Sequence, residues 1–86
     1  MAYRVELTPK ARRVLEKLPD LVGRRIARDI LSLAEDPRPP GVVKLRGRRD
    51  EWRLRVGECR VIYTVRADVL LVLGIEIGHR REVYRR

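Results

Sequence analysis

Arg53 and Arg55 alternate with Trp52, Leu54 and Val56, and Arg60 follows two residues after Glu58. At the two-residue period of a β-strand, residues 52, 54 and 56 share one face and 51, 53 and 55 the other. Gly57-Glu58 fits a two-residue hairpin turn, and closing it sets Val56 against Cys59, Arg55 against Arg60, Leu54 against Val61, Arg53 against Ile62 and Trp52 against Tyr63. One face is then a core of Trp52, Leu54, Val56, Cys59, Val61 and Tyr63, and the other gathers Arg53, Arg55 and Arg60. A four-residue loop keeps this parity, whereas a three-residue loop breaks it. Arginines directly opposite each other repel by about 0.2 to 1 kcal/mol, so folding gains nothing from the grouping. Two readings stay open: a solvated basic face, and a face that binds an anion through the planar guanidinium fork.

Charge along the chain favours the second reading. The 86 residues hold 21 Lys and Arg against 12 Asp and Glu, a formal +9, which points to a polyanionic partner and first to nucleic acid. Between residues 38 and 66 stand Arg38, Lys44, Arg46, Arg48, Arg49, Arg53, Arg55, Arg60 and Arg66 against Asp50, Glu51 and Glu58. Most of the excess charge therefore lies in about a third of the chain. Asn and Gln are absent, as in proteins purged of thermolabile amides, and a codon or thermal bias is an alternative source of the arginines.

The chemistry open to such a face is narrow. The sequence has no phosphate-cradling glycine loop, no paired metal-ligand spacing and no Ser/His/Asp or Cys/His arrangement with supporting spacing. Cation-rich chemistry on a phosphodiester remains, in which the 2′-hydroxyl of an RNA attacks the neighbouring phosphorus. That reaction needs positive charge on the pentavalent phosphorane, an acceptor for the hydroxyl proton and a donor for the departing 5′ oxygen. Arginines supply only the first requirement. His79 and Tyr84, titratable groups in the basic terminal segment that also contains Arg80 and Arg81, are the candidates for proton transfer.

The elements that must hold these residues read as an α+β domain spanning residues 1–86. Tyr3, Val5 and Leu7 alternate with Arg4 and Glu6 as a strand, and Thr8-Pro9 provides a hydroxyl cap and a first-turn proline for a helix. Ala11, Val14, Leu15 and Leu18 follow at helical spacing until Pro19. Pro19-Asp20 then opens a second helix, with a stripe of Val22, Ile26, Ile30 and Leu33 flanked by Ala27 and Leu31. Asp36-Pro37-Arg38-Pro39-Pro40-Gly41 reads as a stiff loop, and strands follow from Val42. Val69 to Ile77 is nearly continuous hydrophobe, as expected of a central strand covered on both faces. Gly74, Glu76, Gly78 and Arg80 share one parity, whose small residues leave one face open near the end of this strand. Cys59 alone excludes an internal disulfide, no stretch reads as a signal peptide, and no apolar run reaches the roughly 20 residues of a membrane helix. A cytoplasmic protein with no structural metal and no membrane attachment is expected.

Taken in order, Lys44-Leu45-Arg46-Gly47, Trp52-Arg53-Leu54-Arg55-Val56-Gly57, Arg60-Val61-Ile62-Tyr63, Gly78-His79-Arg80 and Val83-Tyr84 resemble the RelE/ParE superfamily of toxin-antitoxin toxins. Thr8-Pro9-Lys10-Ala11 with Leu15 and Leu18 fits the opening helix of that superfamily, so the resemblance spans essentially the whole chain. It implies two N-terminal helices packed on a mainly antiparallel four-stranded sheet in the order β-α-α-β-β-β. It also implies, for the RelE branch, cofactor-free cleavage of mRNA in the ribosomal A site. Carried over by position, Arg53, Arg55, Arg60 and Arg80 match the branch's basic site residues and Tyr84 its terminal tyrosine. Well-known members carry lysines where this chain has Arg53 and Arg55, and an arginine scarcely ever gives up a proton. Proton transfer is therefore expected of Tyr84, with a pKa lowered by the surrounding cations, and of His79. Lys44, Arg46, Arg48, Arg49 and Arg81 are expected to contact RNA. The implied partners are a cognate antitoxin, the ribosome and mRNA, with a monomer when free and a hetero-oligomer with the antitoxin. A ParE-like poison of DNA gyrase, an inactive homologue and a non-catalytic RNA-binding module are the alternatives.

Overall fold

The computed structural model describes residues 2–47 and 50–78. The elements run β1 (Arg4–Leu7), α1 (Pro9–Lys17), α2 (Asp20–Glu35), β2 (Val43–Lys44), β3 (Glu51–Val56), β4 (Cys59–Arg66) and β5 (Val69–Ile77). The Thr8 hydroxyl accepts a hydrogen bond from the Ala11 amide at 3.1 Å, and Pro9 fills the first helical turn of α1, where a missing N–H costs nothing. α1 ends because Leu18 precedes a proline, which drives it to extended backbone (φ −76°, ψ 152°). α2 then buries Ile26, Ile30, Leu33 and Ala34 against the sheet. Two residues expected in or beside that stripe are exposed, Val22 at 38% and Leu31 at 62%. Leu31 is turned about 100° from Ile30 and so leaves the buried strip, whereas Val22 shares its side of the helix but lies one turn ahead of Ile26, the first buried residue of α2.

The sheet has five strands in the order β1-β5-β4-β3-β2, with β1 parallel to β5 and every other pair antiparallel. The count corrects the four strands expected. β2 is two residues long, too short for any alternation to show, and exists through its register with β3, Val43 opposite Arg53 and Lys44 opposite Trp52. The mainly antiparallel α+β architecture stands. The β3–β4 hairpin closes on Gly57-Glu58, with Val56 opposite Cys59 and Arg55 opposite Arg60. Gly57 adopts φ +60°, the left-handed backbone such a turn favours and glycine takes without strain.

β5 is an inner strand, but one of its faces is not covered by helix. Val69, Leu71 and Leu73 remain half-buried there. The β4–β5 register shifts between Ile62 and Tyr63: Ile62 faces Gly74 and Tyr63 faces Val72, leaving Leu73 as the extra residue of a bulge. Leu70 and Val72 before the bulge, and Ile75 after it, can therefore all serve the core despite their unequal spacing. The Thr8 hydroxyl donates to the Leu73 carbonyl at 2.9 Å, so the bulge also anchors the start of α1. Ala11, Ile26, Val61, Tyr63, Leu70 and Val72 are completely buried, and the Tyr63 hydroxyl donates to the Pro37 carbonyl, tying the proline loop to the core.

Candidate functional site

Both helices of the described residues lie against one face of the sheet, through the core shared by Ala11, Ile26, Ile30, Leu33, Val61 and Tyr63. The opposite face carries the charge. The β3–β4 register sets Arg55 directly across from Arg60 and Arg53 across from Ile62, as the hairpin parity requires. The three arginines line a cavity of about 400 Å³ together with Glu58, Cys59 and Gly78. A second cavity of about 330 Å³ adjoins it, lined by Leu45, Arg46, Arg53, Arg60, Ile62 and Glu76. Arg53 and Arg60 are common to both, so the basic surface is a continuous shallow trough from the hairpin turn toward the segment after β2.

Local contacts orient the guanidinium groups. Arg55 Nε donates to the Gly57 carbonyl at 3.3 Å. Arg60 Nε stands 3.4 Å from Glu76 Oε1 in an ion pair across the β4–β5 register, shielded from solvent and without the alignment of a hydrogen bond. The Gly78 amide donates to the Glu58 carbonyl at 2.7 Å, which draws the end of β5 under the hairpin turn. Burial first, and the neighbouring Glu58 carboxylate second, push the Cys59 thiol above its ordinary pKa. It stays protonated near neutrality and is a poor nucleophile despite bordering the trough. Among the described residues no three His, Cys, Asp or Glu side chains cluster as metal ligands do, and no helix is long and apolar enough to cross a membrane.

Such an arrangement can take a phosphate group by paired guanidinium hydrogen bonds and hold it while charge builds on its oxygens. Of the residues expected at the site, Arg53, Arg55 and Arg60 come together and Arg46 joins them. Lys44 does not: it lies opposite Trp52 and so takes that residue's parity on the helix-side face, its Nζ 6.0 Å from the indole centroid, with Arg38 5.2 Å from the same ring. Arg48, Arg49, His79, Arg80, Arg81 and Tyr84 lie outside the described residues. Sequence reasoning missed Glu76 and Gly78 as neighbours of Arg60. Their shared parity with Gly74 was visible, but their alignment with Arg60 depends on the β4–β5 register.

Residues 5–84 match the family model described as the ParE toxin of type II toxin-antitoxin systems, parDE. In structure the chain is similar to a chain of the archaeal RelE-RelB complex from Pyrococcus horikoshii OT3, with 32% identity, a TM-score of 0.80, and coverage of 93% of this chain and 99% of that one. It is similar also to the isolated E. coli RelE toxin, at 26% identity and a TM-score of 0.82, over 96% of this chain and 92% of the other. The YoeB/ParE toxin from Agrobacterium tumefaciens shares the fold at 19% identity and a TM-score of 0.76, over 88% of this chain and 99% of that one. No curated protein matches the chain in sequence.

Proposed function

Because this chain belongs to the RelE/ParE superfamily of type II toxin-antitoxin toxins, we propose that its arginine trough binds mRNA and that the protein is a ribosome-dependent endoribonuclease. The observation that carries this reading is the placement of Arg55 directly against Arg60, beside Arg53, in one open cavity. The fold bears that repulsion, and a bound phosphate relieves it. In the proposed reaction the 2′-hydroxyl oxygen bonds to phosphorus as the bond from phosphorus to the 5′ oxygen breaks. The products are a 2′,3′-cyclic phosphate and a 5′-hydroxyl. Arg53, Arg55, Arg60 and Arg80 hold the phosphate and its transition state, Tyr84 with His79 takes up and returns the proton, and no cofactor takes part. Arg46 extends the RNA track, to which Arg48, Arg49 and Arg81 also contribute, whereas Lys44 serves the opposite face.

A trough this shallow neutralises charge without orienting the attacking hydroxyl, so the ribosome supplies the substrate geometry. A cognate antitoxin of acidic or amphipathic character is the partner that restrains a +9 toxin in the cytoplasm, in keeping with the P. horikoshii relative being a complex with RelB. The deciding experiment incubates purified protein with mRNA, with and without programmed ribosomes. Cleavage is expected only with ribosomes, and equal cleavage of bare RNA removes the ribosome from the mechanism. The matching family is described as the ParE toxin, and the competing reading is the ParE-like poison of DNA gyrase. Inhibition of gyrase supercoiling together with intact mRNA on ribosomes would establish that reading instead.

A further inference from the structure

Arg60 differs from its two neighbours in how it is held. It lies directly across β4 and β5 from Glu76, whose Oε1 is 3.4 Å from Arg60 Nε, and that nitrogen is shielded from solvent although both side chains are about half exposed. The carboxylate therefore meets the inner edge of the guanidinium and leaves the two terminal nitrogens for another anion. Glycine follows two residues beyond Glu76, and a Cβ on Gly78 would stand 3.3 Å from Arg60 Nη2 and 3.4 Å from its Cζ. The guanidinium thus lies over Gly78, in the space left by a missing side chain. A Cβ on Gly74, two residues before Glu76, would meet nothing within 4 Å, so the floor beyond the clamp stays open.

An arginine in a crowd of arginines is otherwise free to swing away from its like-charged neighbours. We propose that Glu76 is a positioning residue for Arg60: by charge attraction at the Nε edge its carboxylate holds the guanidinium with Cζ and Nη2 over Gly78, so that the terminal nitrogens face the trough shared with Arg53 and Arg55. The proposal rests on the reading of Arg60 as a phosphate ligand. Glu76 touches no substrate in this scheme and acts only through Arg60. An arginine already held in its working orientation surrenders no rotamer freedom when the phosphate arrives, which favours binding of the charge that develops in the transition state.

Two measurements test this. In the free protein, the Arg60 Nε–H resonance of wild type should be protected from exchange with water and should shift on titration with inorganic phosphate, and Glu76→Gln should lose both effects. On programmed ribosomes at saturating protein, Glu76→Gln should slow single-turnover cleavage by about 10- to 100-fold, the scale of a misplaced catalytic contact. The double variant Arg60→Ala/Glu76→Gln should be no slower than Arg60→Ala alone, since a residue that acts only through Arg60 has nothing left to position. Unchanged exchange and rate in Glu76→Gln, or a multiplicative slowing in the double variant, would overturn the assignment. If wild type cleaves no RNA, the functional reading fails by itself, and the exchange and phosphate titration still decide whether Glu76 orients Arg60.

Discussion

Replacing Arg55 by threonine should stabilise the fold while it removes function. Arg55 and Arg60 occupy directly opposite positions on β3 and β4, where like charges cost about 0.2 to 1 kcal/mol. The charges themselves sit on the guanidinium groups, beyond the roughly 5 Å between opposite Cβ atoms, and water and the Glu76 carboxylate beside Arg60 keep the repulsion within that range. Against that gain stands the loss of the exposed bond from Arg55 Nε to the Gly57 carbonyl at 3.3 Å, worth about 0.5 kcal/mol. Threonine offsets part of this loss through its preference for strands. The net gain is about 0.5 kcal/mol, and in a domain of this size that raises Tm by roughly 2 to 4 °C. Screening identifies the source: the Debye length falls from about 10 Å at 0.1 M salt to about 3 Å at 1 M, so the gain should shrink at high salt. Thermal and urea unfolding of wild type and Arg55→Thr at both salt concentrations is the assay, with ribosomal cleavage measured on the same preparations. A variant that is less stable at low salt, or whose advantage is unchanged in 1 M salt, would refute the claim that the trough is held together against its own charge.

Three further variants test the scaffold. Tyr63→Phe strands the Pro37 carbonyl and should cost about 1 to 3 kcal/mol in urea unfolding. Burial, moderated by Arg38 and reinforced by Asp36, pushes the Tyr63 hydroxyl up to about 12, so the folded chain holds this proton more tightly than the unfolded one. The resulting stability is complete below about pH 10 and is lost as pH rises toward 12; Tyr63→Phe should lack that part of the alkaline decline. Thr8→Ala removes both the α1 cap and the bond to the Leu73 carbonyl and should cost about 0.5 to 2 kcal/mol by thermal unfolding, with Thr8→Ser recovering most of it. Ile26→Ala, at a completely buried position, should cost about 2 to 5 kcal/mol in the same measurement.

The hairpin was legible because alternation and a glycine turn sufficed to fix its register; Arg53, Arg55 and Arg60 met on one face as their parity required. Thr8-Pro9 and Leu18-Pro19 marked the ends of α1 because proline chemistry is local. What escaped was set by neighbours distant in sequence. β2 has no period of its own, so neither the fifth strand nor the turning of Lys44 toward Trp52 could be read without β3. The bulge at Leu73 is fixed by pairing with β4 and by Thr8, and a run of leucine and valine conceals it. Val22 and Leu31 were apolar at nearly the right spacing, yet Leu31 is turned about 100° from Ile30 and Val22 lies a turn ahead of Ile26, where burial of α2 begins.

The most direct test of the central claim is the chemistry of the cut ends from programmed ribosomes, read beside a message carrying a single 2′-deoxy nucleotide immediately 5′ of the scissile bond. Attack by the 2′-hydroxyl predicts a 2′,3′-cyclic phosphate upstream and a 5′-hydroxyl downstream, no cut in the 2′-deoxy message, and slowing by about 10² to 10³ in Arg60→Ala. Cleavage that persists at the 2′-deoxy position, or that leaves a 5′-phosphate, would contradict the account.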